Sequence, residues 1–152
     1  MRPLIHRGDE VIVEYVTPVD LRCGDIVTLW DGRSYWTHRF LGWRKTGNTK
    51  ALITKGDALY YVDPPMPPDQ VIGRVAALQR EGRRLYVRRR PYDLLHLLIG
   101  FLSRLQASIP RGTPLAQNIR GLILLFDRGV YLLLRGISRL LTKGFVLVQS
   151  DE

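Results

Sequence analysis

The chain has 152 residues, with 23 Lys/Arg against 14 Asp/Glu and a formal charge of +9. That length excludes a large multidomain assembly, and 45% apolar residues suffice to bury a core, which excludes wholesale disorder. One cysteine, Cys23, excludes an internal disulfide framework and any zinc site built on several thiolates.

The charge is uneven. Residues 1–79 hold 10 basic and 9 acidic side chains, net +1, whereas residues 80–152 hold 13 and 5, net +8. The basic excess is arginine, since Lys143 is the only lysine after residue 79. Guanidinium groups grip phosphate with two parallel hydrogen bonds, so lipid headgroups and nucleic acid are the partner classes this half could meet. No uncharged apolar run of about 18 residues occurs, so a spanning helix is not expected. Arg2, Pro3, His6, Arg7, Gly8 and Asp9 follow Met1 where a signal peptide would place an apolar core.

The first half reads as short strands cut by turns. Residues 10–16 alternate, with Val11, Val13 and Tyr15 on one face. A strand over 26–30 is followed by the hairpin signal Asp31-Gly32 and a second strand over 34–40. Further strands are expected over 51–54, 71–78 and, after the Glu81-Gly82 turn, 84–88. Four of the five residues in Pro64-Pro65-Met66-Pro67-Pro68 lack a backbone donor, so this is a surface loop. The expected fold class is mainly β, a compact antiparallel domain over residues 1–90. From about residue 91 the period becomes helical. Leu94, Leu98, Phe101, Leu102, Leu105 and Ile109 share one face, and Asp93, His96, Gly100, Ser103, Arg104 and Ala107 the other. Pro110 to Pro114 breaks the chain before a second helical stretch over about 115–141. Residues 91–152 are therefore expected to form an Arg-rich amphipathic helical appendage.

Three patterns in the β half belong together. The first is Met1-Arg2-Pro3 followed by Gly8-Asp9. The second is Gly24-Asp25-Ile26-Val27, followed by His38-Arg39. The third is Lys55-Gly56-Asp57, with Asp63 six residues on. Each Gly-Asp alone is a turn signal. Their order resembles that of the type I signal peptidases, nearest the branch whose general base is histidine. That family's Ser-Met-x-Pro box is matched here except for its serine. The self-cleaving repressors of the SOS response share the fold but place lysine where this chain has His38, a poorer match. The resemblance covers roughly residues 1–78.

What the resemblance implies is chemically coherent. Serine peptide hydrolysis needs a base to take the hydroxyl proton and a group that orients that base and stabilises its cation. His38 is assigned as the base, because imidazole titrates near neutral pH. Asp57 and Asp63 are assigned to the site, either one able to orient His38, and Met1 and Pro3 to substrate binding. The expected substrate is an extended leader segment of a precursor, with small residues before the scissile bond. No cofactor or metal is implied.

The nucleophile is missing. The family's serine would stand immediately before Met1. Ser34 and His38 read as one strand, about 13 Å apart along the backbone, too far to share a hydrogen bond. Thr37 faces the opposite side of that strand. As written, the chain holds a base and acids but is inactive. Either the start was assigned too late, at the methionine inside the box, or the chain is a non-catalytic peptide-binding descendant. The first is favoured because Met1 coincides with the motif methionine.

The other candidates have plainer readings. Asp9 and Asp25 read as turn residues, Cys23 as a small half-buried side chain, and His6 and His96 as surface or helix-face residues. Arg88, Arg89 and Arg90, followed by the helices, form a candidate anchor to an anionic membrane surface, each basic residue there contributing about 1 kcal/mol. This gives a peripheral membrane localisation and a third functional reading, a membrane-surface adaptor. Nucleic acid is disfavoured, because the aromatics of this half sit among leucines and no recognition motif is present.

Overall fold

A computed structural model describes residues 4–6, 8–47, 49–87, 92–110 and 112–145. Met1, Pro3 and Arg88 to Arg90 lie outside them. The expected order holds: a mainly β unit is followed by helices. The strands are β1 (Glu10–Glu14), β2 (Ile26–Trp30), β3 (Tyr35–Thr46), β4 (Thr49–Lys55), β5 (Val71–Arg80) and β6 (Arg83–Tyr86), and the helices are α1 (Tyr92–Ala107) and α2 (Pro114–Phe145).

The strands form one six-stranded sheet in the order β1-β5-β2-β3-β4, with β6 also on β5. Every strand pair is antiparallel. The turn chemistry explains the hairpins. Asp31 Oδ1 accepts the amides of Arg33 and Ser34 at 2.8 and 2.7 Å, which closes the β2–β3 turn. Glu81 and Gly82 both have positive φ, 51° and 72°, the conformation a two-residue hairpin needs to match strand twist. The expected face of Val11, Val13 and Tyr15 does not survive. The register slips between Ile12 and Val13, β1 ends at Glu14, and Tyr15 is 83% exposed. A bulge of this kind swaps the faces of the residues beyond it.

The proline loop crosses the outer edge of β4. Met66, its one residue with a backbone donor, exchanges two hydrogen bonds with Leu52, at 2.7 and 3.0 Å. The four prolines flanking it offer no donor to a further strand, which blunts that edge.

Apolar side chains gather on both faces of the sheet. Val27, Leu29, Phe40 and Leu52 form one buried cluster, with Trp36, Trp43 and Met66 packed against it. The other holds Leu4, Ile26, Val75, Leu78 and Leu85 together with Ile99 of α1 and Ile119 and Ile123 of α2. The helices thus share a core with the sheet. The buried side of α1 is mixed: Ile99 is fully buried and Leu95 and Leu102 pack against the core. His96, Gly100 and Ser103, on its polar side, are buried, and Leu94, Leu98, Phe101 and Leu105 are exposed.

Two glycines permit this packing. A Cβ on Gly100 would stand 2.7 Å from the Gly24 nitrogen, and one on Gly24 would stand 2.1 Å from the His96 carbonyl oxygen. Backbone therefore rests on backbone where α1 crosses the turn before β2. Gly→Ala inside a helix ordinarily stabilises by about 0.5–1 kcal/mol. Here Gly100→Ala should destabilise by about 1–3 kcal/mol, because the added carbon must push the helix off the sheet. Urea unfolding checks this, and a stabilised variant would contradict the close approach.

Candidate active site

The site is built where the start of β3 lies beside the end of β4, with Arg39 opposite Lys55. His38 and Arg39 are adjacent on β3, and strand alternation sends them to opposite faces of the sheet. The partners differ accordingly. His38 Nδ1 lies 2.6 Å from Asp63 Oδ2, with the His38 side chain 20% exposed and that of Asp63 13%. Arg39 turns towards α1 and is fully buried.

Asp63 sits in the loop after β4 and is tied back to that strand twice. Its amide donates to the Thr54 carbonyl at 2.8 Å, and its Oδ2 accepts the Thr54 hydroxyl at 2.6 Å. Burial pushes the Asp63 carboxyl up, but the hydrogen bonds from His38 and Thr54 and the charges of His38 and Lys55 outweigh it and hold the group below the ordinary carboxylate value. An ionised carboxylate can only accept, so Nδ1–H donates to it in the neutral ring, and the lone pair of that tautomer is on Nε2. That nitrogen looks over Gly56, where a Cβ would come within 3.1 Å of it. Position 56 therefore keeps the accepting nitrogen clear on one side.

Arg39 assembles the opposite side. Its Nε and Nη2 donate to the two oxygens of Asp57, each at 2.8 Å, and its Nη1 donates to the Gly24 carbonyl at 2.8 Å. Nη1 also lies 3.0 Å from His96 Nδ1. One buried guanidinium thus joins the Gly24-Asp25 segment, the His38-Arg39 pair, the Lys55-Gly56-Asp57 segment and α1. Of the two carboxylates assigned to the site, Asp63 touches His38. Asp57 gives both oxygens to Arg39 and is fully buried.

Of the two readings of His96, surface or helix face, it takes the second, on the buried face of α1. It is 7% exposed, accepts from Arg39 at Nδ1 and donates through Nε2 to the Val87 carbonyl at 3.2 Å. Burial, with the Arg39 charge beside it, pushes its imidazole down to about 3, so the ring is neutral. The unfolded chain takes up that proton near 6.5 and the folded chain only near 3. Stability should therefore fall as pH drops below about 6.5, by up to about 1.4 kcal/mol per pH unit from this residue. His96→Asn, which removes the titration but can keep an acceptor for Arg39, should flatten that slope in urea unfolding at a series of pH values. An unchanged slope would contradict the buried neutral ring.

The remaining Gly-Asp carboxylates do structural work, as the turn reading expects. Asp9 accepts the His6 amide at 2.7 Å and is gripped by Arg80, whose Nη2 also donates to the Leu4 carbonyl at 2.9 Å. Asp25 accepts the Arg22 amide at 2.8 Å and Arg74 Nη1 at 3.3 Å. These contacts pin the segment before β1 to β5. Cys23 is half-buried, and burial pushes its thiol up, away from the thiolate a nucleophile needs. Thr37 meets Thr28 across the strands, hydroxyl to hydroxyl, at 3.1 Å.

Sequence reasoning picked out Thr54-Lys55-Gly56-Asp57 and His38-Arg39 as patterns but gave Thr54, Arg39 and His96 no role in the site. The signals were present: a hydroxyl directly before Lys55, a cation directly after the candidate base, and a histidine one helical turn before Gly100. Comparison with protein-family models, curated proteins and solved structures finds no match. Among the described residues no helix is long and apolar enough to cross a membrane.

Proposed function

We propose that this chain carries the base and acid of a serine endopeptidase that cleaves leader segments, with a fold and site like those of the histidine-base signal peptidases. The observation that supports this reading is the His38–Asp63 contact at 2.6 Å, with Nε2 directed over Gly56. His38 Nε2 takes the proton of a serine hydroxyl as that oxygen attacks the scissile carbonyl. Asp63 stabilises the imidazolium that forms, and the proton is then delivered to the departing amine. Water hydrolyses the acyl-enzyme by the same relay. In the family that the chain resembles, that serine stands directly before the residue matched by Met1. Asp57 has a different part from Asp63: through Arg39 it fixes the strand end that carries His38. The substrate is an extended peptide with small residues before the cut, met at a membrane surface to which the protein binds peripherally.

The nucleotides upstream of codon 1 test this directly. An in-frame serine codon immediately before Met1 is the expected result. An in-frame stop codon there would sink the peptidase reading and leave a protein that holds the peptide without cutting it.

A further inference from the structure

Although Ile99 of α1 is buried on the sheet side, much of the helix's apolar surface faces outward. Leu94, Leu98, Phe101 and Leu105 follow one another at helical spacing, and the first and third are 74% and 61% exposed. On α2, Leu115, Leu122, Leu125 and Leu132 repeat at intervals of seven, three and seven, all exposed, with Leu125 at 64%. Single exposed leucines need no explanation, but two stripes running over consecutive turns do. The inward side of α1 meanwhile buries His96, Ser103 and Gln106. Solvent is therefore not what the outward face is built to meet.

Charge identifies the occupant. From Leu94 to Phe145 the chain carries seven Lys/Arg and one acid, Asp127. Arg104 and Arg128 are exposed on the two helices, and Arg88, Arg89 and Arg90 precede α1 in the sequence. A second copy of this face would bring arginine against arginine with almost no carboxylate to answer it. Nucleic acid would take the arginines and leave the leucines in water. A bilayer with anionic headgroups takes both: guanidinium groups pair with phosphate while Leu and Phe enter the acyl boundary.

We propose that the outward stripes of α1 and α2 form a docking surface for an anionic lipid bilayer, on which the helices lie in the plane of the headgroups. The inference does not need the peptidase reading.

The test is sedimentation of the full chain with vesicles of phosphatidylcholine alone or mixed with phosphatidylglycerol, at low and high salt. Binding to the mixed vesicles should be at least about tenfold tighter than to phosphatidylcholine, and salt should weaken it. The triple variant Leu94→Ser, Phe101→Ser, Leu125→Ser should bind about a thousandfold more weakly, since each lost insertion costs roughly tenfold. All three positions are exposed, so its circular dichroism and urea midpoint should match the parent. Tyr15→Ser, exposed on the sheet side, should bind like the parent. Failure of the parent to bind mixed vesicles at low salt would overturn the proposal, as would undiminished binding by the triple variant. A parent that dimerises through these residues in sedimentation velocity, without vesicle binding, would reassign the face to self-association.

Discussion

Asp57→Asn should cost the fold about 3–5 kcal/mol, the usual result of removing one partner from a buried ion pair. Both side chains of the Arg39–Asp57 pair are fully buried, and both Asp57 oxygens accept from the guanidinium. Arginine cannot shed its proton to escape an apolar site, so the variant leaves a full charge facing a neutral amide. The Gly24 carbonyl and His96 Nδ1 remain as acceptors, but neither carries charge. Set against a typical stability of about 5–15 kcal/mol, such a loss would unfold a visible fraction of the protein at moderate temperature. Urea unfolding followed by circular dichroism reads it. A cost below about 1 kcal/mol would mean that the pair is solvated and does not organise the strand ends. Replacing both partners with apolar side chains of similar volume should cost much less than Asp57→Asn alone, because no buried charge is then left over.

Asp63→Asn should act on chemistry and leave the fold almost intact. In a chain carrying serine directly before Met1, it should lower kcat by about 10³–10⁴-fold with little change in KM. An asparagine can turn its amide NH2 towards His38 Nδ1, which forces the ring proton onto Nε2, the nitrogen that must accept. Thr54 bonds that same Oδ2, so the turned amide takes away its acceptor, but the hydrogen bond from the residue 63 amide to the Thr54 carbonyl keeps the loop docked. Asp57→Asn read in the same assay below its unfolding temperature should not show the tautomer defect. Equal kcat losses in the two variants would show that Asp63 has no special relation to the base.

Much of the sheet was legible because its elements are local. Alternation and the Asp31-Gly32 and Glu81-Gly82 turns place six strands, although β3 runs six residues past its expected end, to Thr46. The choice between Asp57 and Asp63 was not legible. It depends on which side of the sheet the chain takes after β4, and the answer comes from Arg39, which captures Asp57 on the helix side while Asp63 returns on the other. Alternation at His38-Arg39 contains half of that result, but the long-range return of the loop does not show in spacing. Which face of α1 is buried was not legible for a similar reason. Helical periodicity finds two faces correctly, yet the buried one is chosen by what the sheet offers: an arginine needing an acceptor and a glycine turn needing close approach. His96, Gly100 and Ser103 form that seam, and small or polar residues one turn apart were its signal.

The central claim is that His38, oriented by Asp63, is the base of a serine peptidase. Cleavage of a leader-bearing precursor by the chain extended to include serine before Met1, set beside the same chain with His38→Ala, tests it most directly. The extended chain should cut at a single position after a small residue, and His38→Ala should reduce the rate by at least about 10³-fold with an unchanged urea midpoint. Cleavage undiminished in the variant, or no cleavage by the extended chain, would contradict it.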